Sequence, residues 1–190
     1  MPDRHVIVLT APSGAGKTTI ARRVMKEMPE VQFSVSATTR DPRPNETHGE
    51  DYYFLSDEAF DAAIENGELL EYEEVYAGTC YGTLREEVAQ KSEEAPVLLD
   101  IDVKGAANVK RIFGEDALAL FIAPPSLEEL ERRLRGRNTE DEADVQDRVD
   151  RAAWEMEQAN RFDVTIVNKH DQLDRAVAET LAAIHQFVNR

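Results

Sequence analysis

A short loop of small residues, Ala11-Pro-Ser-Gly-Ala-Gly-Lys-Thr18, constrains this chain more than any other stretch. It follows the apolar run Val6–Leu9 and precedes a helical pattern that places Ile20, Val24 and Met28 on one face. Strand, glycine-bearing loop and helix in that order make a phosphate cradle. Gly14 and Gly16 let the backbone curl so that successive N–H groups converge, and the new helix adds its free N–H groups and positive dipole end. Ala11, Pro12, Ser13, Gly14, Ala15, Gly16, Lys17, Thr18 and Thr19 are therefore the expected binding residues for a nucleoside triphosphate. Lys17 can reach the β- and γ-phosphates, and the Thr18 hydroxyl can ligate Mg²⁺. One position departs from the usual pattern, which has Gly where this chain has Ala11. Alanine there is a small cost if φ is negative and a real one if φ is positive. The alternative is an ordinary small-residue turn, and Gly-Lys-Thr in this place argues against it.

The remaining composition bounds the answer. At 190 residues and 42% hydrophobic content the chain is one globular unit with room for inserted subdomains. Lys plus Arg is 22 and Asp plus Glu is 38, a net charge of −16. Such a surface repels nucleic acid backbones and anionic membranes, so neither a nucleic acid polymer nor a membrane is an expected partner. The acidity suits either a high-salt setting or simply a soluble, well-charged surface. The single cysteine, Cys80, allows no internal disulfide, and no apolar stretch approaches membrane-spanning length. The expected location is cytoplasmic; whether the chain is a monomer or a homo-oligomer is left open.

Apolar runs recur at Val6–Leu9, Phe33–Val35, Val97–Leu99, Leu118–Ile122 and Val164–Val167. They lack the polar alternation of half-exposed strands and read as strands buried on both faces. Helical patterns at Thr18–Met28, Val103–Phe113, from Ser126 (with capping-box spacing to Glu129) and from about Asp171 separate several of them. Alternating strands and helices imply an α/β fold with a mostly parallel sheet and right-handed crossovers. Residues 38–92 are too long for a simple crossover and read as an inserted substrate subdomain with a short helix from Ser56 to Asn66. Residues 127–157 are arginine-rich, with apolar content too thin for a core, and read as a mobile cover over the phosphate site.

The segment Thr38-Thr-Arg-Asp-Pro-Arg-Pro-Asn-Glu-Thr-His-Gly-Glu-Asp-Tyr-Tyr-Phe54 resembles the guanylate kinase family. Further matches follow in the family's order: Leu70-Glu-Tyr72, Tyr81-Gly-Thr83, Leu99-Asp-Ile-Asp102, Ile122-Ala-Pro-Pro-Ser126, Gly136-Arg137 and Val164-Thr-Ile-Val-Asn168. The resemblance implies a P-loop, three-layer core around a parallel five-stranded sheet, with an inserted NMP-binding subdomain and a helical lid. The expected division is core at 1–37, 93–126 and 158–190, GMP-binding subdomain at 38–92 and lid at 127–157. Its implied substrates are ATP, taken with Mg²⁺, and GMP.

Arg40 and Arg43 flank Pro42 and can clamp a phosphate, while Tyr52 and Tyr81 can each donate a phenolic O–H to it. The resemblance implies that these four grip the GMP phosphate. Guanine presents N1–H and N2–H₂ side by side, a pair that a carboxylate can accept and that adenine lacks. The resemblance places that contact at Glu71, with Asp102 near N2 and with Ser36 and Thr83 as donors to O6. The loop Glu73–Cys80 runs one residue longer than the commonest family pattern, and Cys80 reads as a packing residue. Asp100 ends an apolar strand and can hold Mg²⁺ through water, orient the phosphate clamp, or serve only as a structural ion pair. Arg137 and Arg148 are the expected transition-state arginines, with Arg133 as a third. Asn168 is either an adenine contact or a simple turn residue.

The expected reaction is transfer of the ATP γ-phosphoryl to GMP or dGMP. A kinase of the same fold acting on a sugar phosphate would not need Glu71 and Asp102. A non-catalytic phosphopeptide-binding relative would not need Lys17 and Thr18.

Overall fold

The computed structural model describes residues 5–76, 78–135 and 142–190. Its core runs through β1 (Val6–Thr10), α1 (Lys17–Glu27) and β2 (Gln32–Phe33). The chain then forms β3 (Ala37–Thr38), β4 (Tyr53–Phe54), α2 (Asp57–Glu65), β5 (Leu69–Tyr76) and β6 (Thr79–Leu84). It returns to the core by α3 (Arg85–Glu94), β7 (Val97–Asp100), α4 (Val103–Phe113) and β8 (Ala117–Ala123). Two helices follow, α5 (Leu127–Arg135) and α6 (Glu142–Glu157), and then β9 (Val164–Val167) and α7 (Leu173–Val188).

The core sheet has five strands in the order β2-β7-β1-β8-β9, all parallel. Alternation along β1 sends Ile7 and Leu9 to one face and Val6 and Val8 to the other. Both faces are covered: α1 and α7 pack on the first, through Ile20, Val24, Val177 and Ile184, and α4 packs on the second through Val103 and Val109. That is why the central strands read as unbroken apolar runs. Two strands differ from the sequence reading. The edge strand β9 alternates, with Ile166 buried and Thr165 and Val167 exposed, because it pairs only with β8. The second strand ends at Phe33 rather than Val35, since the chain leaves the core sheet at Ser34 and crosses toward β3. Among the described residues, no helix is long and apolar enough to cross a membrane.

A second sheet of four strands, β4-β3-β6-β5, stands beside this core. Its apolar centre is Ala37, Phe60, Ala63 and Leu69, with Cys80 packed against it. Helix α2 starts as its sequence suggests, with Ser56 Oγ accepting the Ala59 N–H at 3.2 Å. The arginine-rich segment departs from expectation. Leu130, Leu134, Val145, Val149 and Ala152 form a buried cluster between α5 and α6, so this segment has a small core of its own. Its apolar residues fall on one stripe of each helix, which a count of residue types does not register.

Candidate active site

The glycine loop joins β1 to α1 at the carboxyl edge of the core sheet, the edge where open α/β sheets hold ligands. Gly14 and Gly16 have φ of +90° and +97°. A side chain at Gly16 would be strained by that φ and would also run into the Asn168 amide. Ala11 is not among the residues of positive φ, so alanine is accommodated at the position where the pattern calls for glycine. Lys17 opens α1, and its Nζ donates to the Ile101 carbonyl at 2.8 Å and pairs with the Asp100 carboxylate. The register Leu9↔Asp100 in the β1–β7 pair puts that carboxylate one strand away from the loop.

Two cavities meet here, sharing Lys17, Thr18, Tyr52 and Asp102 in their walls. The first runs toward the second sheet and is lined also by Phe33, Ser36, Asp51, Glu71, Tyr81 and Asp100. Glu71 in its wall is only 7% exposed. The β5–β6 register sets Thr83 directly across from Glu71, and the Thr83 hydroxyl donates to Glu71 Oε1 at 2.5 Å. Gly105 of α4 makes room for the carboxylate; any Cβ there would overlap Glu71 Oε2. Burial pushes the Glu71 carboxyl up to about 7; the Thr83 bond opposes it, Asp102 and Glu73 add to it, and Lys17 opposes it. Asp102 caps α4, with Oδ1 accepting the N–H groups of Lys104 at 2.8 Å and Gly105 at 2.9 Å.

The second cavity runs from the glycine loop toward α6 and is lined by Ser13, Gly14, Thr19, Arg148, Arg151 and Glu155. Arg148 donates to Ser13 Oγ, tying α6 to the loop. Leu134 and Leu130 of α5 pack over Gly14 from the other side. Arg151 Nε donates to Glu155 Oε1 at 3.0 Å. Glu155 is 4% exposed, and its second oxygen has no partner in the described structure. Burial raises its carboxyl pKa against the pull of Arg151.

A cradle of main-chain amides with a lysine, opening on one side to a buried carboxylate and on the other to two arginines, suits a reaction between two phosphorylated molecules. The guanylate kinase family model matches residues 3–187. The chain belongs to the guanylate kinase family. It is 65% identical over 189 residues to a guanylate kinase from Salinibacter ruber, spanning 100% of each chain. A guanylate kinase from Bacteroides thetaiotaomicron is 46% identical over 186 residues, covering 97% of this chain and 90% of that one. The crystal structure of guanylate kinase from Anaplasma phagocytophilum superposes with a TM-score of 0.76 at 31% identity, covering 96% of this chain and 85% of that one.

Within this family framework the expected site residues fall into three groups. Ser36, Tyr52, Glu71, Tyr81 and Asp102 line the first cavity with Thr83 behind Glu71, and Arg148 lines the second. Arg40, Arg43 and Asn168 line neither. Glu46 accounts for Arg40: both its oxygens lie 2.9 Å from Arg40 Nη2, and Oε2 also accepts the Arg43 main-chain N–H at 2.8 Å. The Arg40 guanidinium lies over the ring of Tyr52, 5.5 Å from its centre, while Arg43 is exposed. Burial works against the Arg40 charge, but bonds to Glu46 and Tyr81 leave its pKa above the ordinary value. Asn168 donates its amide to the Ala15 carbonyl at 2.8 Å and so holds the glycine loop. Arg133 is engaged by Glu129 at 2.9 Å and by the Asn168 carbonyl at 3.0 Å. Arg137 lies outside the described residues.

The sequence reading assigns no role to Arg151 or Glu155. Arg151 lies three residues after Arg148 and Glu155 four after Arg151, which puts all three on one face of a helix, a signal present in the sequence. Phe33 and Ile101 also line the first cavity; nothing in their residue type distinguishes them from core positions.

Proposed function

We propose that this chain transfers the γ-phosphoryl group of ATP to GMP or dGMP, giving ADP and GDP or dGDP. The observation that carries this reading is the junction of two cavities at Lys17 and Thr18, with Glu71 buried in the wall of one of them. ATP occupies the second cavity, with its phosphates along the amides from Ser13 to Thr19. GMP occupies the first, with N1–H and N2–H₂ on Glu71, O6 toward Ser36 and Asp102 near N2, while the Thr83 hydroxyl, already given to Glu71, braces that carboxylate instead of donating to O6. Tyr52 and Tyr81 donate to its phosphate, Arg40 exchanges Glu46 for that phosphate, and the exposed Arg43 side chain joins it there. The bond between the γ-phosphorus and its bridging oxygen breaks as an acceptor phosphate oxygen, already anionic, bonds to the same phosphorus. No general base is needed, so catalysis is positioning and charge stabilisation by Lys17, Arg148 and Arg137.

The oxygens of Thr18 and Asp100 fit Mg²⁺, a hard cation that takes one or two protein oxygens and completes its shell with phosphates and water. Bound with ATP, the ion neutralises charge on the β- and γ-phosphates. Residues 38–92 act as the acceptor subdomain and 127–157 as the lid over the core at 1–37, 93–126 and 158–190. Closure of both excludes water, which would otherwise accept the phosphoryl group. A reducing cytoplasmic setting suits the lone thiol, Cys80.

A coupled ADP-release assay with Mg-ATP against GMP, dGMP, AMP, UMP and a ribose bisphosphate precursor tests the reading. Turnover with the two guanine nucleotides alone is the expected result. Turnover with the sugar phosphate, or with none of them, overturns it.

A further inference from the structure

Two crossings join the second sheet to the core: residues 34–36, which lead from β2 to β3, and helix α3, which leads from β6 back to β7. The first of them contributes Ser36 to the wall of the first cavity. Residues 87 and 91 of α3, one turn apart, reach across from the second crossing to the first. Lys91 Nζ donates to the Phe33 carbonyl at 2.6 Å and also pairs with Glu87. Glu87 Oε1 accepts the Val35 N–H at 3.1 Å, and Oε2 accepts the Tyr53 hydroxyl at 3.2 Å. The Glu87 side chain is only 10% exposed, so its charge is poorly screened and its partners matter.

These bonds join parts of two different sheets. Phe33 pairs with β7 in the core, whereas Tyr53 pairs with β3 in the second sheet. The neighbours of the bonded groups, Phe33 itself, Ser36 and Tyr52, line the first cavity. The network thus fixes where one wall of that cavity stands relative to another.

We infer that Glu87 is a positioning residue for the acceptor, a clasp across both crossings that sets the resting orientation of the second sheet against the core. The inference rests on the assignment of the first cavity to GMP. Without the clasp the second sheet samples more orientations, and fewer molecules hold the acceptor wall in place at any moment. Apparent affinity for the acceptor falls by that fraction, while the glycine loop, built wholly on the core, is unaffected.

The test is steady-state kinetics of Glu87→Ala and Tyr53→Phe, each checked for folding by its thermal melt. The Tyr53 substitution removes a single bond on the second-sheet side and leaves the charge pair intact. Glu87→Ala is expected to raise KM for GMP about tenfold, and Tyr53→Phe about threefold, with KM for ATP held within about twofold. ATP hydrolysis measured without GMP should likewise stay within about twofold of wild type. An unchanged KM for GMP in the folded variants overturns the inference, as does an equal rise in both KM values, which is what a purely structural brace would give. If Glu87→Ala fails to fold, Tyr53→Phe decides alone. Glu71→Gln in the same assay separates the two ideas, because its failure to weaken GMP counts against the cavity assignment and not against the clasp.

Discussion

Glu71→Gln should make the nucleotide-free protein more stable and its acceptor binding worse, and the first effect should appear only above a defined pH. The folded chain holds this carboxyl at about 7, against 4.5 for the free group, chiefly because it is buried. A folded-state pKa above the unfolded one means that the folded chain favours the protonated form. No destabilisation is felt below about pH 4.5; it grows as pH rises and is complete above about pH 7. At 1.36 kcal/mol for each pH unit between the two values, the ionised form costs about 3 kcal/mol in the fold. Glutamine stays neutral throughout, fills nearly the same volume beside Gly105 and still accepts from Thr83. In a chain of this length about 1 kcal/mol moves Tm by roughly 2–4 °C. The variant should therefore melt with the wild type near about pH 5 and roughly 6–12 °C above it near about pH 8. Calorimetric scans of both proteins across that range measure the difference directly, and titrations common to both cancel. A Tm difference that does not change with pH would falsify the buried-carboxylate account. The same substitution leaves guanine one acceptor short and faces it with an amide donor, so KM for GMP should rise about a hundredfold. In the wild type, GMP binding needs the ionised form, so KM for GMP should climb toward about tenfold per pH unit below about pH 7 and be flat above. The variant should lose that slope.

Three further substitutions probe other parts of the site. Lys17→Ala should abolish turnover while leaving GMP binding measured by calorimetry largely intact; loss of both would mean that Lys17 chiefly braces Asp100. Arg148→Ala should lower kcat about a thousandfold with little change in Tm, as expected for an arginine on the transferring group. A fall of less than about tenfold would reduce Arg148 to a tether on Ser13. Gly105→Ala drives a methyl group into the Glu71 carboxylate, so stability should fall by about 1–3 kcal/mol and KM for GMP should rise. An alanine variant with wild-type KM would show that Glu71 can move aside.

The parts of this structure that were legible in sequence are those governed by local rules. The glycine loop, the five core strands and the caps at Ser56 and Ser126 follow from spacing and residue type alone. The family resemblance pointed to Glu71 and Thr83, and the hairpin register, which no sequence rule fixes across a loop of altered length, then put them face to face. What escaped the sequence depends on competition between partners. Arg40 has the residue type of a phosphate contact, and the sequence gives no sign that its guanidinium rests on Glu46, which also accepts the Arg43 main-chain N–H. Asn168 ends a strand as a turn residue would, but its amide is drawn to Ala15, more than a hundred residues away in the chain. The small core between α5 and α6 was missed because periodicity, not abundance, places apolar groups.

These internal partners bear on how so acidic a chain can hold two polyanions. With a net charge of −16, the long-range field disfavours nucleotides, so attraction must come from groups already in place. Four cations around the site are held by oxygens of the chain itself: Lys17 by Asp100, Arg40 by Glu46, Arg148 by Ser13 and Arg151 by Glu155. Each is thereby fixed in direction before any phosphate arrives. On the proposed reading binding is then an exchange, in which the cations held by carboxylates gain little new charge attraction and Arg148, held by a neutral hydroxyl, gains more. Such an exchange contributes modestly to affinity. In the proposed reaction it contributes far more to the rate, because donors fixed in advance need little reorganisation when charge shifts toward the bridging oxygen. The arrangement favours the transition state over the ground state, which is the distinction that separates a catalyst from a nucleotide-binding module.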